Sequence, residues 1–238
     1  MARAGLGSRR ACEEMIRTGR VTVNGRLAAL GDKADPAGDK ILVDGVPLRP
    51  AVAPITVALY KPKHVLSTDA PHKGDKRPTA RSFISLEARL FPIGRLDADS
   101  EGLMLFTNDG ALTNRLTHPR YGHEKEYRVL VTGRPNQEAL NKWRRGVYLE
   151  DGKTAPVRVS VIQGDRHTTW LHVIMREGRK RQIRRVAAAL GHPVRKLVRE
   201  RIGPIWLDQL KPGEWRPLTK SERRALRSVG GGNGLMGQ

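Results

Sequence analysis

The chain has a single cysteine, Cys12, so no intramolecular disulfide can form, and a reducing compartment is expected. One thiol cannot anchor a zinc knuckle, and the seven histidines show no paired ligand spacing, so no metal is expected. Long apolar runs are missing too. No stretch approaches the ~18 apolar residues of a membrane span, and the opening MARAGLGSRR has no signal core. A cytoplasmic protein is expected. The remaining shortage is of acid: 24 Asp and Glu stand against 44 Lys and Arg, a formal charge of +20. Such a field attracts phosphate and points to a polyanionic partner. A generally basic surface is the plainer explanation, but the excess is clustered: residues 176–201 hold ten Lys/Arg and two Glu. No helix-turn-helix or heptad pattern marks a DNA-binding protein.

Hydrophobic residues, 38% of the chain, suffice for a packed core. SRRACEEMIRT (8–18) predicts a short helix capped by Ser8 and closed before Gly19. Its spacing turns Ala11, Met15 and Thr18 inward and leaves Arg9, Arg10 and Arg17 outside, where they can meet a polyanion. RVTVN (20–24) and KILVD (40–44) read as strands, closed by turn glycines Gly25 and Gly45. So small a unit has no room for a deep active site and reads as a binding module. PLRPAVAP (47–54), with three prolines, separates it from the rest. The text ARAGLGSRRACEEMIRTGRVTVNGR, followed by GDK and ILVDG, resembles the alpha-L RNA-binding domain first known from a small-subunit ribosomal protein. About one turn of helix that such domains carry before ARAG is missing here, so the module is expected to be shortened at its start.

From residue 55 the pattern becomes a larger α+β body. ITVALYKP (55–62) reads as a strand, and GLMLFTN (102–108), apolar on both faces, as a buried one. EYRVLVTG (126–133) alternates, with Tyr127, Val129 and Val131 on one side. Residues 157–175 form an expected hairpin turning at Gly164-Asp165, and helices are expected at 110–117, 135–145 and 179–190. In KRQIRRVAAAL, Ile183, Val186, Ala187 and Leu190 make one apolar stripe; Arg181 and Arg185 point away from it toward possible phosphates, and Arg184 lies on the flank. The glycine-rich end, 229–238, is expected to be a flexible tail.

FPIGRLDADSEGLMLFTND (91–109) places four acids and one base in this basic chain. Asp99 and Glu101 suit a turn, and Asp109 suits a helix cap. Calcium fits poorly, since the rest of an EF-hand loop is missing. Asp97 remains, at a strand end beside the basic surface, where it needs a guanidinium to stay ionised near RNA phosphates. Structural turn and catalytic carboxylate both remain open for it at this point.

GRLDADSEGLMLFTNDG, KEYRV, REGRKRQIRRVAAALGHPV and LVRERIGPIWL, with LYKPKHVLSTD (59–69) ahead of them, occur in the order seen in bacterial ribosomal RNA pseudouridine synthases of the RsuA/RluB type. The chain resembles that family over residues 2–220, with His64 standing where glycine is common. The resemblance implies a mixed, mainly antiparallel catalytic domain at 55–228, after a module at 1–48 and a linker at 49–54. It implies that Asp97 is the catalytic aspartate, that Arg184 pairs with it, and that Tyr127 stacks on the uracil. Arg95 would enter the RNA helix, Leu197 would close the pocket wall, and Lys61 and Pro62 would shape its floor. Arg179, Lys180, Arg181 and Arg185 would hold phosphates beside it. No cofactor is implied. The expected substrate is ribosomal RNA, of the large subunit ahead of the small, acted on by a monomer. A non-catalytic ribosome-assembly factor on the same scaffold is the competing reading, though it gives no reason for Asp97, Arg184 and Tyr127 to occur together.

Overall fold

The computed structural model describes residues 1–49, 52–68 and 74–228, and the chain forms two compact units, Met1–Pro54 and a second beginning at Ile55. The expected tail, 229–238, lies outside the described residues, as do residues 50 and 51 of the expected linker.

In the first unit, helix α1 (Arg9–Arg17) is capped by Ser8, whose Oγ accepts from the Ala11 amide at 3.1 Å. Its inward face differs from the expected one: Cys12 is buried and Met15 and Ile16 half-buried, whereas Ala11 and Thr18 are exposed. Both sets have helical spacing, and the set with the bulkier apolar side chains turns inward. Strands β1 (Val21–Val23), β2 (Arg26–Leu27), β3 (Ile41–Val43) and β4 (Val46–Pro47) form an antiparallel sheet in the order β2-β1-β3-β4. Each expected strand thus has a short hairpin partner that its sequence did not announce. The turns are Asn24-Gly25 and Asp44-Gly45, with all four residues at positive φ, as tight hairpins require. The Asn24 amide is fixed at both ends: its nitrogen donates to Asp39 (2.8 Å) and its oxygen accepts from the Lys40 amide (2.9 Å).

The second unit is organised on one nine-stranded sheet. Its elements run β5 (Thr56–Lys61), β6 (Phe91–Ile93), β7 (Glu101–Thr107), α2 (Gly110–Thr117), β8 (Lys125–Thr132) and α3 (Gln137–Arg145). A two-stranded ribbon, β9 (Tyr148–Leu149) and β10 (Gly152–Lys153), follows. The chain continues through β11 (Arg158–Gly164), β12 (Thr168–Met175), α4 (Gln182–Ala189) and β13 (Val194–Ile202). It ends with β14 (Ile205–Trp206), β15 (Trp215–Pro217) and α5 (Lys220–Ser228). The sheet order is β11-β12-β8-β13-β7-β5-β15, with β6 on β7 and β14 on β13. Of the paired strands named here, only β13 and β7 run parallel.

Strand β7 is buried along its whole length, which its apolar sequence required. Leu59, Met104 and Val129 pack against Trp143 of α3 and Val186 of α4 on one face, while Leu103, Leu105 and Val198 pack against Leu116 of α2 and Leu226 of α5 on the other. Fully burying one such side chain contributes about 1.5–3 kcal/mol, so β7 anchors both layers. Asp109 caps α2 as expected, accepting from the amides of Ala111 (2.9 Å) and Leu112 (3.2 Å).

Several boundaries differ from expectation. Helix α4 starts at Gln182 and not at residue 179, because Arg181 has a left-handed backbone (φ 51°) that cannot propagate a helix. Glu101, expected in a turn, opens β7 and pairs with Lys196 at 2.8 Å. The β11–β12 turn falls at 165–167, where the Asp165 carboxylate accepts from the amides of His167 (2.7 Å) and Thr168 (2.6 Å). The largest departure is β13, a central strand whose sequence VRKLVRERI carries five charged residues.

Gly102 is where β7 meets β13. It has φ +110°, and a Cβ there would lie 2.3 Å from the Arg199 carbonyl oxygen and 2.6 Å from its amide nitrogen. Only glycine permits both the dihedral and the approach. Gly102→Ala should lower the unfolding free energy by roughly 3 kcal/mol or more; a chemical denaturation curve matching wild type would show that the strands separate without penalty.

Candidate active site

Directly opposed residues in a sheet share a face, and one row crosses four strands: Lys61, Gly102, Arg199 and Tyr127. The Arg199 backbone occupies the place that a side chain at Gly102 would take, and this part of the row lies next to the loop that joins β6 to β7. Four bonds fix that loop. The Ser67 hydroxyl donates to the Leu96 carbonyl (2.5 Å) and accepts from the Leu96 amide (3.0 Å). The His64 amide donates to the Ala98 carbonyl (2.6 Å), and Arg199 Nη1 donates to the Arg95 carbonyl (3.2 Å). His64 itself has φ +62°, a backbone that glycine adopts without strain, which accounts for glycine being common at this place in the resembling family.

The loop forms one wall of a cleft of about 890 Å³. Of the residues singled out from sequence, Arg95, Asp97, Tyr127, Arg179, Lys180, Arg181, Arg184 and Leu197 all line it. Tyr127 is only 8% exposed and belongs to the core as well as to the cleft wall. Arg185 is turned away, bound through both terminal nitrogens to Asp151 at 2.9 Å. Arg9, Arg10 and Arg17 are exposed on α1 of the first unit, Arg17 lying 3.4 Å from Glu14.

The cations divide differently from the expectation. Arg184 reaches Asp99, with Nε 3.3 Å from its carboxylate and Nη2 donating to its carbonyl (2.9 Å) and to Ser100 Oγ (3.1 Å). It does not pair with Asp97 in this structure. The cation beside Asp97 is Arg181, at 3.9 Å, which simultaneously grips Asp99 with two bonds of 2.9 and 2.8 Å. Asp99 is therefore the anchor for both arginines and more than a turn residue. Arg179 is also diverted. Its guanidinium donates to Glu177 (2.7 Å) and to the carbonyls of Asp151, Gly152 and Lys153, tying the β9–β10 ribbon down and leaving no free fork for phosphate. Asp97, with its side chain 32% exposed, opens onto the cleft.

Residues 55–189 match the RNA pseudouridylate synthase family, and residues 1–41 match the S4 domain. The chain belongs to the RNA pseudouridylate synthase family. A relative named ribosomal large subunit pseudouridine synthase B from Bacillus subtilis (strain 168) is 41% identical, over 96% of this chain and 94% of its own. The protein of the same name from Escherichia coli (strain K12) is 39% identical over 96% and 81%. A crystal structure of a pseudouridylate synthase aligns with TM-score 0.68 and 30% identity, covering 94% of this chain and 95% of that one. The mixed, mainly antiparallel α+β architecture expected from sequence is therefore that of this synthase family.

Within this synthase the electrostatics follow from burial and pairing. The Arg181 bonds, opposed by burial and aided by Arg184, hold the Asp99 carboxyl below the usual carboxylate range. Burial pushes the Arg184 guanidinium down, and Asp99 opposes that shift. Beneath the loop, Lys61 is fully buried; its ammonium donates to the Pro62 carbonyl (2.7 Å) and reaches the Ala98 carbonyl (3.5 Å). Ser67, Lys125 and Arg199 also line the cleft and were not singled out from sequence. Two of them had a signal: Lys125 is two residues before Tyr127 on an alternating strand, and Arg199 two after Leu197.

Burial lowers Lys61 to about 8. Below that pH both folded and unfolded chains carry its proton, and folding bears the whole desolvation penalty. Between about 8 and the ordinary lysine value the unfolded chain binds a proton that the folded chain does not, so stability rises with pH. Relative to Lys61→Met, the wild type should gain about 3 kcal/mol of unfolding free energy as pH climbs from 8 through 10.5. Parallel stability–pH curves for the two proteins would contradict a charged-state penalty at Lys61.

Proposed function

We propose that this protein converts a specific uridine of ribosomal RNA to pseudouridine, with Asp97 as the catalytic carboxylate. The observation that carries the reading is Asp97 opening into a basic cleft whose wall also holds Tyr127, Arg184 and Leu197. Two relatives named for the large ribosomal subunit support large-subunit RNA as the substrate. The enzyme acts as a monomer in the cytoplasm; among the described residues no helix is long and apolar enough to cross a membrane.

The net reaction breaks the bond from uracil nitrogen 1 to the ribose, makes one from uracil carbon 5, and moves one proton from carbon 5 to nitrogen 1. Atoms and electrons balance without an oxidant or a group donor. The uridine must leave its stack, at a cost of a few kcal/mol. Arg95, exposed at the cleft, enters the vacated space. Tyr127 stacks on the uracil, Leu197 packs beside it, and Asp97 attacks the nucleotide so that the base can detach and rotate. Arg181 and Arg184, held by Asp99, keep the field around Asp97 positive. Lys180, exposed and without an ion-pair partner among the described residues, and Arg185, on re-pairing from Asp151, hold backbone phosphates, as do Arg9, Arg10 and Arg17 of the first unit.

Asp97→Asn should abolish pseudouridine in ribosomal RNA while leaving RNA affinity within about twofold; mapped pseudouridine at the wild-type level would remove Asp97 from the chemistry. Arg184→Ala should lower turnover by about 100-fold, a loss of some 3 kcal/mol of transition-state stabilisation. A change confined to RNA affinity would instead make Arg184 a phosphate contact.

A further inference from the structure

The cleft contains two neighbouring cations, Lys125 and Arg199, that form no ion pair with an acid among the described residues. Lys125 and Tyr127 both line it from β8, two residues apart and so roughly 7 Å along the strand. Tyr127 lies opposite Arg199 on β13. Arg199 is only 3% exposed; its Nε and Nη1 donate to the carbonyls of Leu103 (2.8 Å) and Arg95 (3.2 Å), and its Nη2 has no partner among the described residues. Lys125 Nζ has two long contacts, to the carbonyls of His123 (3.4 Å) and Arg176 (3.3 Å).

The acids nearest in sequence are engaged elsewhere. Glu126 alternates to the opposite face of β8, where His172 and Arg201 hold it, and Glu124 takes Arg158, Arg176 and Arg201. A half-buried Lys125 beside a buried Arg199, without a counter-charge, is unfavourable until an anion arrives. Burial, and then the repulsion of Arg199, accordingly lower Lys125 to about 8.

We propose that Lys125, with Arg199 beneath it, forms the subsite for the phosphate of the target nucleotide itself. A phosphate oxygen meets Lys125 Nζ, and Arg199 adds its charge from the cleft floor while the uracil lies on Tyr127. The spacing along β8 is about the reach from a base to the phosphate of its own nucleotide. Phosphate is the anion that an RNA substrate brings, and its non-bridging oxygens can meet Lys125 while the shared charge faces Arg199. This assignment rests on the placement of uracil at Tyr127 given above.

The test is a titration of the full chain, followed by NMR, with uridine, uridine 5′-monophosphate and uridine 3′-monophosphate. One monophosphate should bind at least tenfold more tightly than uridine. Lys125→Met should reduce that preference below twofold without changing the affinity for uridine, and Lys125→Arg should retain it. Equal affinities for all three compounds, or a preference that survives in Lys125→Met, would overturn the proposal. Asp97→Asn should keep the preference, so a failure of the catalytic assignment shows up in pseudouridine mapping and a failure of the phosphate subsite shows up in binding.

Discussion

The close backbone approach at Gly102 determines where the cleft lies. Strand β13 runs beside β7 at a distance that no side chain at this position tolerates. Parallel strands begin at the same end of a sheet, so the loop feeding β7 and the helix preceding β13 can meet. They do so through Asp99 and Arg184. The same glycine sits in a row that otherwise carries Lys61, Arg199 and Tyr127, directly after the loop that holds Asp97 and Asp99.

Charge in the site is arranged by division of labour between two aspartates. Asp99 takes the bidentate bond of Arg181 and the Nε of Arg184, and it is held ionised by them. Asp97 is left with one cation at the edge of ion-pair range and an open side toward the cleft. A carboxylate saturated with guanidinium bonds is a poor nucleophile, since its lone pairs are occupied. Assigning the strong bonds to the neighbour preserves the positive field and leaves Asp97 accessible.

Much of this organisation was legible in the sequence, and the exceptions have physical causes. The β7 run is apolar on both faces and could only be a buried strand; the α4 stripe fixed which side of that helix meets the sheet; Asp109 stands where a cap is needed. Strand β13 escaped because five of its nine residues are charged, yet its centre, Leu197 to Arg199, is buried. Its Arg199 is accommodated by carbonyls from two other segments, which no local pattern encodes. The exchange of partners between Asp97 and Asp99 was equally hidden. Both acids lie on one short loop, and which of them meets an arginine some 85 residues away depends on the backbone path between them.

The fixed amide of Asn24 bears on how this protein ages. Asparagine before glycine is the sequence most prone to deamidation, because the unhindered glycine nitrogen attacks the side-chain carbonyl to close a succinimide ring. Here that carbonyl accepts from the Lys40 amide and the side-chain nitrogen donates to Asp39, so the group is held in place by both ends. Those two bonds oppose the rotation that ring closure requires and so protect the amide in this hairpin turn of the S4 domain.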